Sequence, residues 1–141
     1  MLSSSTVYAI RASIFIAAHK NEKYLPISTI AEKLDISFHF LTKILQKLTQ
    51  INLMTSYRGP NGGVSFTKPT NKIFLIDIVD AVEPNPIFSE CLLGIPGCAD
   101  AEPCPLHEDW GPIRKQLRSK FEKTNLADLA NKVSRFNERL K

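Results

Sequence analysis

Residues 28–63 read STIAEKLDISFHFLTKILQKLTQINLMTSYRGPNGG and contain the most informative structural pattern of the chain. It begins with two predicted short helices: Ser28 caps one that ends at Leu34, and Ser37 caps a second over residues 38–50. The apolar residues of the second helix recur every three or four positions and predict one buried stripe: Phe38, Leu41, Ile44, Leu45 and Leu48. The other face carries hydrogen-bonding or basic side chains: His39, Thr42, Lys43, Gln46 and Lys47. Such a pair is typical of a helix-turn-helix.

The end of the same stretch predicts a β-hairpin. Residues 52–57 and 63–67 favour two short strands, and RGPNGG at residues 58–63 contains the Asn-Gly and Gly-Gly pairs of a tight turn. A hairpin directly after such a helix pair is a wing, and Arg58 at its base can reach a minor groove or a phosphate. The alternative is a structural glycine turn with Arg58 in a surface salt bridge, but the preceding helix pair favours the wing.

The flanking segments are also helical. Spacing of apolar residues predicts helices over residues 6–19, with Thr6 as the cap, over residues 73–83, and from about residue 108 to 123. A last helix runs through Leu126, Leu129, Val133 and Phe136. The helix over 108–123 carries a stripe that can pack on the chain's own core or on a second copy: Trp110, Ile113, Leu117 and Phe121. The expected fold class is therefore mainly α with a small β-hairpin wing, a winged helix-turn-helix domain plus a long helix.

Charge is unevenly distributed along the 141 residues, whose net charge is +4. Residues 1–68 hold eight Lys or Arg against three Asp or Glu, residues 69–105 one against six, and residues 106–141 nine against five. A basic first half favours a polyanionic partner, because Lys and Arg release counterions from phosphates; the alternative is an ordinary solvated surface. With no signal-peptide pattern, and an apolar run at 10–18 too short for a membrane span, we expect a cytoplasmic protein.

Three cysteines, Cys91, Cys98 and Cys104, fall within fourteen residues of a loop rich in proline and glycine, and His107 follows them. An odd number of cysteines without export signals argues for a metal or redox site. Three thiolates and an imidazole suit tetrahedral zinc, or an iron–sulfur cluster in which histidine replaces a thiolate. Intervals of six and five residues are more open than the usual zinc spacing of about two to four, and fit a larger cluster better. The alternatives are free cysteines in a mobile loop and a surface histidine that binds nothing.

An enzyme is the function class that the sequence favours least. The chain has no G-x-G-x-x-G, Walker A, G-x-S-x-G or H-E-x-x-H pattern. No acid–base or nucleophile pair stands out among its side chains. We therefore expect a binding protein.

Together these motifs resemble the Rrf-type winged-helix transcription regulators of bacteria, most closely the iron–sulfur cluster regulators of that family. The resemblance covers nearly the whole chain. It rests on these stretches: Tyr8-Ala9, Ile30-Ala31-Glu32, Ile36-Ser37, Leu41 to Leu48, Arg58 to Gly63, Ile78 to Glu83, and the three cysteines. The wing motif and the cysteine loop are specific when they occur together.

The resemblance implies a DNA-binding repressor that acts as a homodimer on a palindromic operator in double-stranded DNA, dimerised through the long helix. The positions implied in DNA binding are Ser28, Ser37, His39, Phe40, Thr42, Lys43, Lys47, Arg58, Gly59 and Asn61. Thr42 and Lys43 differ from the best-known members, so their operator sequence does not carry over. The implied domains are a winged helix-turn-helix at 1–83, a cluster-binding loop at 84–107, and dimerisation and C-terminal helices at 108–141.

The resemblance also implies an iron–sulfur cluster, with [2Fe–2S] favoured over [4Fe–4S], that senses iron, redox or nitric oxide status. Its ligands map onto Cys91, Cys98, Cys104 and His107. Nitric oxide sensors of the family use an aspartate of the first helix instead, which has no counterpart at Thr6-Val7-Tyr8. The first cysteine interval differs from the family's by one residue. Two alternatives remain: the same fold with zinc or direct thiol sensing, and an iron–sulfur module that does not bind DNA.

Overall fold

A computed structural model describes residues 2–19 and 21–133. Its elements are α1 (Ser4–Ala18), α2 (Ile27–Leu34), α3 (Phe38–Gln50), β1 (Met54–Tyr57), β2 (Gly63–Phe66), a 3-10 helix (Thr70–Lys72), α4 (Leu75–Val82), α5 (His107–Lys123) and α6 (Leu126–Val133). The expected fold class, mainly helical with one antiparallel hairpin, is confirmed. Phe136, which we expected on the last helix, lies outside the described residues, as does the rest of 134–141. No helix within the described ranges is long and apolar enough to cross a bilayer.

One hydrophobic core joins the helix-turn-helix to α1, α4 and α6. Its most deeply buried large side chains include Ile30, Leu34, Leu41, Ile44, Leu45, Leu48, Ile73, Ile78 and Leu126. The Leu126 N–H donates to the Ile73 carbonyl at 2.9 Å, and the Leu75 N–H donates to the Thr124 carbonyl at 2.9 Å. These bonds hold α6 beside the start of α4, so α6 packs in the same core as the helix-turn-helix.

Helix starts follow local hydrogen bonds, and two of them differ from the prediction. Ser37 caps α3 as predicted, since its Oγ accepts from the Phe40 N–H at 3.4 Å. The prediction for Ser28 was wrong: α2 begins at Ile27 after the extended backbone of Pro26, so Ser28 lies exposed in the first turn. The cap of α1 is Ser3, whose Oγ accepts from the Thr6 N–H at 3.2 Å.

The wing is tied to the helices by a backbone bridge outside the hairpin. Within the hairpin, β1 pairs with β2 so that Met54 lies opposite Phe66. Leu25, just before α2, exchanges two hydrogen bonds with Val64, at 2.9 and 3.0 Å. A Cβ on Gly63 would lie 2.2 Å from the Leu25 carbonyl oxygen, so only glycine permits this close approach. The bridge fixes how the wing is oriented on the helix pair.

Helix α5 lies at the edge of this core, and every one of its residues is at least partly exposed. Its inner face packs on the cysteine loop, with the ring of Phe121 edge-on to Phe88 at 5.4 Å. Ile113 of the predicted α5 stripe is 51% exposed in the single chain, so it does not pack on the chain's own core, and the alternative of a second copy stays a prediction. The stripe predicted for α3 was wrong at Phe38, which is 48% exposed because the first residue of α3 lies beyond the edge of the core.

Candidate nucleic-acid interface and thiol cluster

The outer face of α3 is a row of exposed polar and basic side chains. His39, Lys43 and Lys47 are all exposed, and four-residue spacing places them along one side of the helix. The opposite side of α3 is buried in the core through Leu41, Ile44, Leu45 and Leu48. Helix α3 therefore has the amphipathic arrangement that a recognition helix needs to enter a major groove while the core holds it in place.

An open groove of about 520 Å³ runs between α3 and the wing. The structure brings four of the sequence-predicted positions to it: Ser28, Thr42, Arg58 and Gly59. The sequence prediction missed Tyr57, which also lines this groove; it is 57% exposed and its ring lies 5.5 Å from that of Tyr24. The signal available in the sequence was its position, directly before Arg58 at the end of the predicted strand 52–57.

Three other predicted DNA positions have structural surroundings of their own. Ser37 is the cap of α3. Phe40 is half-buried, with its ring edge-on to that of Tyr8 at 5.8 Å. Asn61 is exposed in the hairpin turn, where the Gly62 N–H donates to the Gly59 carbonyl at 3.0 Å. Of these three, Asn61 is the side chain most free to meet a partner.

The cysteine loop folds so that its three thiols converge. The Sγ atoms of Cys91, Cys98 and Cys104 all lie within 4.8 Å of one another, and the Cys91–Cys104 distance is 3.6 Å. The Cys104 N–H donates to the Cys98 sulfur at 3.4 Å. His107, the first residue of α5, places its Nδ1 3.3 Å from the Cys98 sulfur. The four predicted ligand side chains thus form two close pairs at the start of α5.

The thiols of this cluster differ in acidity. The backbone N–H of Ile95 lowers the pKa of Cys91 to about 7, against the opposing effect of partial burial and with help from the backbone of Leu93. For Cys98, the backbone N–H of Cys104 lowers the pKa, but burial and the neighbouring thiols outweigh it and leave the pKa above its ordinary value. Cys91 therefore ionises more readily than Cys98, and a thiolate is the form that binds metal or reacts with oxidants.

Asp100 orients the histidine, and the sequence prediction missed it. The Nε2 of His107 lies 2.8 Å from a carboxylate oxygen of Asp100, a hydrogen bond that lowers the pKa of Asp100. When Nε2 donates to this carboxylate, the Nδ1 lone pair points at the thiols. Metal-bound histidines usually have such a carboxylate partner. Only the folded loop brings Asp100 to His107, so spacing along the chain gave no signal.

The chemistry and distances of this donor set fit a thiophilic metal. A tetrahedral zinc ion with sulfur bonds of about 2.3 Å needs about 3.8 Å between its ligand atoms. The distances of 3.6 Å for Cys91–Cys104 and 3.3 Å for Cys98–His107 are close to that value. Two close pairs also suit a two-iron cluster, in which each iron has two protein ligands.

Comparison with known proteins gives a consistent result. The family model for Rrf2, described as an iron-dependent transcriptional regulator, matches residues 2–132. The HTH-type transcriptional regulator IscR of Xenorhabdus nematophila is 28% identical over 128 residues, covering 91% of this chain and 77% of that protein. A putative HTH-type transcriptional regulator of Aquifex aeolicus is 30% identical over 134 residues, covering 93% of this chain and 92% of that protein. The solved structure of CymR, the global cysteine regulator of B. subtilis, has a similar fold, with a TM-score of 0.80 at 24% identity over 94% of this chain and 97% of that chain.

Proposed function

Because the chain belongs to the Rrf2 family of transcriptional regulators, we propose that it is a repressor whose operator affinity is set by an iron–sulfur cluster. The observation that carries the proposal is the convergence of Cys91, Cys98, Cys104 and the His107 imidazole at the start of α5, in a chain whose other half is a winged helix-turn-helix. Neither an isolated thiol cluster nor an isolated helix pair would favour a metal-sensing regulator as strongly.

DNA binding is proposed to use two surfaces of the winged helix. The exposed side chains His39, Lys43 and Lys47 of α3 would enter the major groove and contact bases and phosphates. The wing residues Arg58, Gly59 and Asn61 would reach the flanking minor groove, with Ser28, Ser37, Phe40 and Thr42 along the groove between them or at the start of α3. A palindromic operator would be read by two copies of the chain.

The second copy is proposed to dock on α5. Seventeen residues of helix with no fully buried side chain would be marginal on their own, since most helical stability comes from packing. Exposed apolar side chains lie on α5 and in the neighbouring loop: Leu92, Leu93, Ile95 and Ile113. A homodimer interface is a usual way to cover such a surface.

In the proposed sensor, Cys91, Cys98, Cys104 and His107 would hold a [2Fe–2S] cluster, with [4Fe–4S] as the alternative. When bound, an iron–sulfur cluster supplies a centre that is sensitive to iron supply, oxidants and nitric oxide. The chain's own part is to hold the loop over residues 84–107 in one ordered arrangement between α4 and α5. When its ligands are released, the loop becomes free to rearrange, and operator affinity changes by the difference between the two states.

A second candidate keeps the winged helix and replaces the cluster with one zinc ion or with direct thiol sensing. The observation that favours it is the short Cys91–Cys104 distance of 3.6 Å, which matches two ligands of a single ion. The pKa of about 7 for Cys91 would also suit a reactive thiolate. An iron–sulfur module without DNA binding is a third reading, in which Arg58 has no role.

The deciding experiment measures iron, zinc and acid-labile sulfide in the wild-type protein purified without oxygen and in a Cys98→Ala variant purified in the same way. The proposal predicts stoichiometric iron and sulfide in the wild type and loss of both in Cys98→Ala. Zinc alone would support the single-ion alternative. No metal in either protein would overturn the cluster and leave thiol sensing, while a winged helix that binds DNA would still stand.

A further inference from the structure

Helix α5 holds the chain immediately before the first cysteine. One terminal nitrogen of Arg114 donates to the carbonyls of Ser89 and Glu90, each at 2.8 Å. The indole N–H of Trp110 donates to the same Glu90 carbonyl at 3.2 Å. Three hydrogen bonds from one helix therefore end on two successive carbonyls, and the next residue is Cys91. We call residues 86–90 the docking segment.

The docking segment also forms a turn of its own and a second contact with α5. It forms a turn on the Pro86 carbonyl, which accepts from the N–H groups of Ser89 and Glu90 at 3.0 and 2.9 Å. Its one aromatic, Phe88, meets Phe121 of α5. The Phe88–Phe121 contact and the three hydrogen bonds from α5 all attach the turn to that helix. The helix and the docking segment therefore form one local unit.

Part of the Arg114 head group is buried at this contact. Its Nε is buried and has no hydrogen-bond partner in the described part of the chain. A charged group held in this way depends on the bonds it does make, because an unpaired donor away from water is costly. Trp110 also lines a cavity of about 560 Å³ together with Cys91, Leu93 and Leu117.

We propose that Arg114 and Trp110 are positioning residues for Cys91: they dock residues 86–90 on α5 and thereby assemble the thiol cluster. Metal at the thiols and docking of the segment then stabilise each other, because coupling between two equilibria is reciprocal. The coupling to metal rests on the proposed function, whereas the positioning of Cys91 does not. The same contacts would pass the occupancy of the cluster to α5.

The first test is a titration of the reduced, full-length chain with Co²⁺ alone, followed through thiolate-to-cobalt absorbance. Arg114→Met is expected to weaken Co²⁺ binding about tenfold, or about 1.4 kcal/mol. Arg114→Lys should fall between, because an ammonium lacks the planar fork of a guanidinium. The matched control is Lys120→Met, which removes the same charge from an exposed position of the same helix. Wild-type affinity in Arg114→Met would overturn the coupling.

The second test needs no metal, so it separates this inference from the proposed function. Brief alkylation of the metal-free chain with iodoacetamide, read by mass spectrometry, gives the ratio of modified Cys91 to modified Cys98. This ratio is expected to change at least threefold in Arg114→Met and in Trp110→Phe, which keeps a ring and removes the N–H. Thermal midpoints should match the wild type, since the core lies elsewhere. An unchanged ratio in both folded variants overturns the positioning role, whether or not the wild type binds Co²⁺.

Discussion

Replacing Gly63 with alanine should loosen the wing without touching the thiol cluster. The added Cβ would lie 2.2 Å from the Leu25 carbonyl oxygen, where ordinary contact begins at 3.4 Å. The difference, 3.4 minus 2.2, means that the wing or Leu25 has to move by about 1.2 Å. A shift of that size breaks the two Leu25–Val64 hydrogen bonds of 2.9 and 3.0 Å.

The cost can be worked from those two bonds. A backbone hydrogen bond contributes about 1 kcal/mol net, so the loss of both destabilises the fold by about 2 kcal/mol. For a chain of this length that lowers the thermal midpoint by roughly 8 °C. Because the bridge orients the wing, DNA affinity should fall by more than the loss of folded protein accounts for. Metal content should stay unchanged.

The assay is thermal unfolding followed by circular dichroism, with DNA affinity measured well below the transition. Ser65→Ala is the control, since it changes a half-buried side chain on the same strand and leaves the backbone space free; surface changes of this kind stay within about 0.5 kcal/mol. A Gly63→Ala protein that unfolds within a degree of the wild type and binds DNA equally well would refute the steric account of the wing.

Three further perturbations test other parts of the structure. Arg58→Ala should weaken DNA binding about tenfold and reduce the salt dependence by about one phosphate contact. The control is Lys68→Ala, at an exposed position beyond β2, which should have a smaller effect. Equal effects of the two substitutions would remove the special role of Arg58. Partial burial raises the pKa of Glu83, but hydrogen bonds from Ser3 and Thr6 outweigh it, so the pKa lies below 4.5. Glu83→Gln should therefore destabilise the fold at neutral pH by less than about 1 kcal/mol, because solvent screens this carboxylate. The difference from wild type should shrink as pH falls below about 4.5 through the folded pKa; a pH-independent difference in urea unfolding would contradict this. Asp100→Ala should weaken Co²⁺ binding about tenfold in the wild type and not in a His107→Ala background, because Asp100 acts through the histidine; additive losses would show that it acts otherwise.

The parts of the fold that local sequence determines could be predicted. The amphipathic pattern of α3, its Ser37 cap and the glycine-rich turn all depend on residues a few positions apart. The end of the core could not be located in this way: helical spacing placed Phe38 on the buried stripe of α3, but as the first residue of that helix it is 48% exposed. Periodicity gives a direction around the helix axis and says little about how far along the helix a neighbour extends.

The parts of the site that depend on distant contacts could not be predicted. The Leu25–Val64 bridge joins segments 39 residues apart, and nothing in either segment marks its partner. Arg114 bonds to backbone carbonyls, which every residue carries, so no residue type signals the contact. Asp100 meets His107 only because the loop turns back between them. The three cysteines were recognisable because thiols are rare and their chemistry is specific.

Whether the cluster sets operator affinity is best decided by measuring the DNA affinity of one preparation with and without the cluster. Protein purified without oxygen would first be used to select DNA fragments from a random library. These fragments would then be titrated with that protein, with the same protein after the metal has been removed, and with Cys98→Ala. Control of operator affinity by the cluster predicts that affinity changes at least tenfold on metal removal, and that Cys98→Ala behaves like the metal-free wild type. Equal affinity in all three would contradict it, and would leave a winged-helix regulator whose thiol cluster does not control DNA binding.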